Sequence, residues 1–283
     1  MTMSIGIDYK IGSWKTCLTE NGQTVELCTF VHSEETLAYI ESVCALYPEP
    51  ILALSSSLET TLCSLQTLIA DHAVATPEMD DLHTFLLAID SLNTRNFHLP
   101  ALKSLKSVPR YRKRKRKDMG NADKLCSVTT LLYRMRQQEA AWPEMRFLYL
   151  EVGENDRSIV VVKDGRIIDG INVASEDVAE DEEEDEQERE QAFWEGLSED
   201  VAGLMAIHHF EDIVVIDRRS SLREKLDKST VVDRLGDTYQ FYLFPRGESE
   251  PEGFEAAIGA TLIAEGLFRP GLACEVVERL QVK

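Results

Sequence analysis

The chain has 283 residues, of which 43% are hydrophobic, and a formal net charge of −20. This length and composition suffice for two domains that each bury a hydrophobic core. No apolar run reaches the roughly 18 to 20 residues of a membrane helix, and strand-like residues begin at Ser4, so we expect a soluble cytoplasmic protein with no membrane segment. The six cysteines form no CxxC pair, and the adjacent His208 and His209 cannot share one helix face, which argues against a zinc site.

One pattern occurs once in each half of the chain. Asp8 is followed fourteen positions later by the glycine of the pair Asn21-Gly22, and Glu151 is followed at the same distance by the glycine of Asp164-Gly165. Asn-Gly and Asp-Gly pairs between alternating apolar residues indicate tight hairpins. Each copy therefore predicts three antiparallel strands with an acidic residue at the first turn. Two similar lobes with a ligand-binding cleft between them are the simplest interpretation.

The remaining patterns predict strands and helices that alternate, as in a mixed sheet flanked by helices. The whole chain is then an α/β protein with one lobe over residues 1–140 and a second over residues 141–283. The helices are expected at 33–47, 58–72, 82–92, 121–135, 193–207, 220–226 and 253–267, and the further strands at 51–54, 212–216, 230–232 and 240–244.

Two charged segments stand out. Residues 176–190 contain eleven acids and one arginine, have almost no apolar content, and predict a solvated or disordered loop. Residues 110–117 contain seven Lys or Arg residues around Tyr111. This basic run could bind nucleic acid, attract an anionic substrate or pair with the acidic segment. Nucleic acid is disfavoured, because only one aromatic residue accompanies the run and the rest of the chain is acidic.

Several segments resemble the DUF1464 family, a group described as predicted butyrate kinases and similar to the superfamily of acetate and sugar kinases, Hsp70 and actin. The segments are RKRKRKDMGNADKL, LEVGENDRSIVVVKDGRIIDG and GFEAAIGATLIAEGL together with the two hairpin units. DMGNADK, close to a DMGTADK pattern of the family, is the most specific of them. The resemblance implies two ribonuclease-H-like lobes, each a mixed sheet flanked by helices, with ATP in an interlobe cleft.

The resemblance also implies roles for individual residues. Gly12, Ser13 and Lys15 would contact phosphate in the first hairpin, and Asp8 would hold a magnesium ion, as hard oxygen ligands do. Glu151 and Gly153 would contact the nucleotide from the second hairpin. Gly259, a glycine inside a predicted helix, would face adenosine. From the residues themselves, Asp118, Asp123 and Lys124 either start a helix or handle the phosphoryl acceptor, and Asp8 and Glu151 could equally be turn acids.

Three positions depart from the superfamily pattern. Lys10 replaces the expected glycine two positions after the first acid, Glu154 to Asp156 replace a Gly-Gly-Thr sequence, and paired glycines are missing after Gly266. Two functions from different classes therefore follow. The first is ATP-dependent phosphoryl transfer to a small carboxylic acid or related metabolite, with ATP and Mg²⁺ as cofactors and a homodimer allowed. The second is a nucleotide-binding or interaction protein that has kept the fold and lost efficient transfer.

Overall fold

The computed structural model describes residues 3–71, 80–92, 94–154, 156–174, 186–219, 229–236, 238–247 and 250–282. Within them the strands are β1 Met3–Lys10, β2 Ser13–Glu20, β3 Gln23–Phe30, β4 Ile51–Ser55, β5 Cys63–Ser64, β6 Arg95–His98, β7 Phe147–Val152, β8 Arg157–Lys163, β9 Arg166–Val173, β10 Asp212–Asp217 and β11 Gln240–Leu243. The α-helices are α1 Ser33–Leu46, α2 Leu65–Asp71, α3 Asp80–Ser91, α4 Arg110–Lys115, α5 Ala122–Gln137, α6 Glu186–His208, α7 Thr230–Leu235, α8 Glu255–Phe268 and α9 Leu272–Leu280.

The chain divides into two compact units. The first comprises Met1–Lys106, Asn121–Glu139 and Gly247–Lys283, and the second comprises Ser107–Gly120 and Ala140–Arg246. This division differs from the boundary expected between residues 140 and 141, because α8 and α9 pack within the first unit and the segment before Asn121 packs within the second. Packing between segments distant in the chain decides the division.

The first unit is built on a sheet with the strand order β3-β2-β1-β4-β6-β5. Strands β1, β2 and β3 are antiparallel, whereas β4 runs parallel to β1 and β6 runs parallel to β4. One face of the sheet packs against α1, α2 and α3 through a core that includes Ile5, Ile7, Trp14 and Phe85. The alternate positions of β1, at Ser4, Gly6 and Asp8, face the opposite side of the sheet, where Gly6 lies against α8.

The second unit repeats this arrangement with the strand order β11-β10-β7-β8-β9. Strands β7, β8 and β9 are antiparallel, and β10 and β11 continue the sheet in parallel. Both hairpin pairs have positive φ angles, 50° and 80° at Asn21 and Gly22 and 53° and 72° at Asp164 and Gly165. Those angles are the ones that a hairpin turn of this type requires. The predicted fold class, two ribonuclease-H-like mixed sheets flanked by helices, is confirmed.

Some predicted elements differ from the observed ones. The helix expected at 58–72 begins only at Leu65, and residues 230–232, expected as a strand, open helix α7. Gly236, with a φ of 71°, ends α7, and Val231 is buried in the core of the second unit, so this packing and the glycine outweigh the strand preference of the Thr-Val-Val sequence. The helix expected at 220–226 and residues 176–185 of the acidic segment lie outside the described residues, and the rest of that segment, from Glu186, belongs to α6.

Candidate active site

Asp8 lies near the C-terminal end of β1, in the centre of the sheet of the first unit. It is paired in register with Lys15 on β2 and with Ser55 on β4. Its side chain is buried, with 4% exposure, and its Oδ1 accepts a hydrogen bond of 3.2 Å from the Ser55 hydroxyl. A buried carboxylate normally has several hydrogen-bonding or charged partners. Burial and the charged groups around Asp8 therefore decide its ionisation.

The neighbours come from β1 itself and from the first turn of α5. Lys124 Nζ lies 3.1 Å from Asp123 Oδ2, and Lys10 Nζ lies 3.5 Å from the same oxygen. Lys124 is buried, whereas the Lys10 side chain is 52% exposed. The backbone alternation of β1 puts Lys10 on the same face as Asp8. Two carboxylates and two ammonium groups thus meet at the C-terminal edge of the sheet and the N-terminus of a helix.

Burial raises the pKa of Asp8 to about 6. The positive charge of Lys10 opposes this rise, the negative charge of Asp123 adds to it, and Lys124 and the Ser55 hydrogen bond oppose it. The carboxylate is consequently ionised at neutral pH at an energetic cost to the folded state. A bound cation would remove that cost.

The turn between β1 and β2, at Ile11 and Gly12, follows directly after Lys10 in the chain. Gly12 has a φ of +72°, and a Cβ placed on it would have no atom within 4 Å. The glycine is therefore required by the turn conformation, and the space next to it is open. Lys15 Nζ lies 5.5 Å from the centre of the Phe254 ring, and Ser13 starts β2.

Asp118 belongs to the second unit, whereas Asp8, Asp123 and Lys124 belong to the first. Its Oδ1 accepts a hydrogen bond of 2.9 Å from the Gly120 backbone N–H, and its Oδ2 accepts one of 2.6 Å from Asn172 Nδ2. Both carboxylate oxygens thus hold the Asp-Met-Gly turn against β9. These contacts account for Asp118 without a catalytic role, and sequence reasoning could not separate it from Asp123 because the two acids are only five positions apart.

Glu151 occupies in the second unit the position that Asp8 occupies in the first. Arg218 Nε donates a hydrogen bond of 2.8 Å to its Oε1, and the Tyr149 hydroxyl donates one of 2.8 Å to its Oε2. The charge of Glu151 is therefore neutralised by a residue that the sequence did not single out. The only feature of the sequence that could have pointed to Arg218 was its position directly after the buried strand β10, which is parallel to β7.

The turn between β7 and β8, which follows Glu151, also differs from a phosphate-binding loop. The Gly153 backbone N–H donates to the Asp156 carbonyl over 2.8 Å, and a Cβ on Gly153 would lie 1.9 Å from Asp156 Oδ1. The carboxylate of Asp156 thus covers the glycine that was expected to face phosphate. The negative charge of this carboxylate would repel an anionic ligand at Gly153.

The close approach expected at Gly259 comes from the protein itself. A Cβ on Gly259 would lie 1.9 Å from the Cys126 carbonyl oxygen, so the glycine lets α8 and α5 pack backbone to backbone. Gly6 does the same for β1 and α8, since its Cβ would lie 2.1 Å from the Ala257 carbonyl oxygen. Gly259 is explained by helix packing, and contact with adenosine is not needed to account for it.

The basic run forms helix α4, and part of it has a partner that was not foreseen. Arg112 and Arg116 each make an ion pair of 3.3 Å with Asp169 on β9, and His208 Nε2 lies 3.2 Å from the same carboxylate. Asp169 has a fully buried side chain. Burial alone would raise its pKa, but the hydrogen bonds from His208 and Arg116 and the charges of both arginines lower it. The ion pairs of Arg112 and Arg116 thus connect the basic run to Asp169 of β9.

The cluster around Asp8 suits a magnesium ion with nucleotide phosphates. Mg²⁺ is commonly held by one or two carboxylates together with waters and phosphate oxygens, and Asp8 and Asp123 supply the carboxylates. Lys10, Lys15 and Lys124 supply positive charge for the phosphates. Among the described residues there is no group of three or more His, Cys, Asp or Glu side chains that could hold a metal ion.

Comparison with solved structures assigns the fold. The chain is similar to the protein Lmo2764 of Listeria monocytogenes, a proposed N-acetylmannosamine kinase, with 9% identity, a TM-score of 0.51 and coverage of 93% of this chain and 98% of that one. It is also similar to a chain of the PilM-PilN type IV pilus biogenesis complex, with 13% identity, a TM-score of 0.50 and coverage of 92% and 98%. The chain therefore shares the fold of these two proteins.

Residues 47–177 match the family model described as "Protein of unknown function (DUF1464)". The matched range includes the DMGNADK sequence and the second hairpin, two of the segments on which the resemblance was based. A search of the curated proteins finds no match. Within the part of the chain that the structure describes, no helix is long and apolar enough to cross a membrane.

Proposed function

We propose that the protein binds Mg-ATP at the Asp8 end of its first unit and transfers a phosphoryl group to a small carboxylic acid or a related metabolite. The observation that supports this most directly is the buried, raised-pKa Asp8 beside Asp123, Lys10 and Lys124. Perturbed carboxylates with a specific set of charged partners are concentrated at functional sites. The kinase fold adds to this argument without naming a substrate.

Each residue of the cluster has a proposed role. Asp8 holds the magnesium ion, directly or through water, and Asp123 supplies a second carboxylate at the start of α5. The backbone around Gly12 and Ser13, with Lys15, binds phosphate oxygens, because glycine turns admit close approach of an anion. Bound Mg²⁺ would neutralise charge on the transferred group. Lys124 and Lys10 orient Asp123 and offset negative charge in the same place.

The proposal leaves out four residues that were candidates from the sequence. Asp118 and Glu151 have both carboxylate oxygens bound within the second unit, and Gly259 is explained by packing against α5. Gly153 is covered by Asp156. The proposed site therefore depends on the first unit. The butyrate-like acceptor, the cytoplasmic location and the homodimer stay predictions from the sequence.

A second candidate function is nucleotide binding or protein interaction without efficient transfer. The specific observation in its favour is the second hairpin, where the Asp156 carboxylate occupies the surface of Gly153 and would repel phosphate. A similar solved chain comes from a pilus biogenesis complex with a protein partner, which shows that this fold is also found outside kinases.

One pair of measurements tests both candidates. Isothermal titration with Mg-ATP and with ATP in EDTA measures binding, and phosphorus NMR measures turnover with acetate, butyrate and glucose. Binding with turnover supports the first function, and binding without turnover supports the second. Asp8→Ala should abolish the magnesium-dependent part of the affinity, whereas Asp233→Asn, a change at an exposed aspartate of α7, should not. Absence of binding at millimolar Mg-ATP would contradict both.

A further inference from the structure

The first unit contains a second concave site, remote from Asp8. It has a volume of about 640 Å³ and is bordered by β3, α5 and α8 and by the residues Gly247, Glu250 and Pro251. Gly22 of the β2–β3 turn lines it, and Glu20 at that end of β2 pairs with Met3, five residues before Asp8 on β1. At about 3.4 Å per strand residue, the two sites lie roughly 17 Å apart along the sheet. The site is within the size range of ligand pockets.

The wall formed by β3 is an open sheet edge. β3 is the outermost strand of its sheet, and among the described residues it pairs only with β2. Five consecutive residues, Gln23 to Leu27, line the site. Because side chains of a strand alternate between faces, consecutive lining residues mean that the β3 backbone itself contributes. Exposed backbone N–H and C=O groups at a sheet edge are a template for another strand.

A buried carboxylate oxygen lies in the opposite wall. Glu250 Oε2 accepts hydrogen bonds from Arg134 and, over 3.1 Å, from the Gly247 backbone N–H. Glu250 Oε1 is buried and has no hydrogen-bond partner among the described residues. A buried carboxylate oxygen without a partner is costly, so a donor that reached it after a small movement of this wall would be well bound.

Apolar side chains complete the site. Val25 is 54% exposed, and Leu27, Tyr133, Ile258 and Leu262 also line the depression. Side chains of this type accommodate an aliphatic stem next to a charged head group. The formal net charge of −20 favours a basic ligand in general.

We propose that this site binds an extended peptide segment of a partner protein, which adds as a strand to β3 and places a Lys or Arg side chain against Glu250. Main-chain hydrogen bonds to β3 give affinity, and the pocket for the basic side chain gives specificity, as in other cases of strand addition. The inference does not depend on nucleotide binding, because none of the lining residues belongs to the Asp8 cluster.

The test uses the full-length protein labelled with ¹⁵N and the peptide acetyl-Thr-Val-Lys-Val-Thr-Val-amide. We expect backbone shift changes at Gln23 to Leu27 and at Tyr133, with the Asp8 region unchanged. Replacing the peptide lysine by norleucine should weaken binding about tenfold or more, the loss expected for one charge-assisted hydrogen bond. Methylating alternate backbone nitrogens on the pairing edge should abolish it.

Protein variants test the same contact from the other side. Glu250→Gln should bind the lysine and norleucine peptides with equal affinity, and Glu41→Gln, an exposed change on α1, should keep the difference between them. Each of three results would overturn the proposal. One is the absence of shifts at β3 with millimolar peptide, a result that does not depend on how any variant folds. The second is that n-butylamine binds as strongly as the peptide, because the peptide backbone would then add nothing. The third is a dimer formed through β3, seen in ultracentrifugation and dissociated by Val25→Lys.

Discussion

At the scale of single residues, the ionisation of Asp8 links the candidate site to the stability of the fold. Its pKa is raised to about 6, chiefly by burial, from 3.8 for an unperturbed aspartate. A folded-state pKa above the unfolded value stabilises the fold below the unfolded pKa, and this contribution is lost as the pH rises through the folded pKa. Without a bound cation, the ionised carboxylate therefore weakens the first unit at neutral pH.

Asp8→Asn should consequently stabilise the protein in buffer with EDTA. The free energy of unfolding of the variant should exceed that of the wild type by an amount that grows by about 1 kcal/mol between about pH 5 and about pH 8. Urea denaturation at several pH values measures the difference, with Asp233→Asn as the control. A pH-independent difference would show that Asp8 does not titrate in this range.

Lys124 acts on the same equilibrium, because its charge lowers the pKa of Asp8. Lys124→Met should raise the pKa of Asp8 further, so that Mg-ATP binding requires a higher pH and is several-fold weaker at neutral pH. The measurement is the pH dependence of Mg-ATP affinity by titration calorimetry. Lys115→Met, at an exposed position of α4, should leave the profile unchanged, and an equal shift in both variants would assign the effect to net charge alone.

At the scale of elements, glycines set the distance between β1, α8 and α5. Gly6 and Gly259 remove the two Cβ atoms that would otherwise meet carbonyl oxygens of Ala257 and Cys126. α5 carries Asp123 and Lys124 in its first turn. The close packing of α5 against α8 therefore also sets where these two side chains lie relative to Asp8.

Gly259→Ala should destabilise the first unit even though alanine is the better helix former. The added Cβ would lie 1.9 Å from the Cys126 carbonyl oxygen, a backbone atom that cannot move without shifting α5. We expect a loss of about 2 kcal/mol or more, as in other overpacked cores. Gly203→Ala is the matched control, because Gly203 lies in α6 and a Cβ added there would have no atom within 4 Å. This substitution should stabilise the protein by up to about 1 kcal/mol. Thermal unfolding of both variants decides the matter.

The docking of α4 depends on one buried carboxylate. Asp169→Asn would leave Arg112 and Arg116 without their described anionic partner, and breaking a buried ion pair costs about 3 kcal/mol or more. We expect much faster tryptic cleavage within residues 110–117, measured by mass spectrometry of early digests. Asp164→Asn provides the control, since its ion pair with Arg146 is exposed and its hairpin position tolerates asparagine. Equal cleavage rates in the two variants would mean that Asp169 does not hold α4.

Elements defined by local chemistry could be predicted from the sequence. The Asn-Gly and Asp-Gly hairpins have the expected turns because these residues are the ones that tolerate positive φ. Helix α5 follows Asn121 as expected. The role of Gly259 and the partner of Glu151 could not be predicted in the same way, because both depend on a residue that is distant in the chain. Thr230 to Val232 show the reverse error, in which intrinsic strand preference gave way to the burial of Val231 and to the glycine that ends the helix.

At the scale of the whole molecule, the chain completes the first unit only after it has formed the second. α8 and α9 begin after Gly247 and pack against β1 and α5, which precede them by more than a hundred residues. A boundary predicted from the internal repeat could not detect this return, since the repeat marks only the hairpins. The second unit contains a complete sheet between Ala140 and Arg246 and draws only residues 107–120 from outside that range.

Removal of Gly247–Lys283 should therefore unfold one unit and spare the other. The deletion takes away α8, whose side chains are nearly all buried against β1 and α5, so hydrogen-exchange protection should be lost over β1 to β4 and kept over β7 to β10. Adding a peptide of residues 247–283 to the truncated chain should restore protection in the first unit. Loss of protection in both units would mean that they fold as one cooperative body, and full protection in both would contradict the packing role of α8.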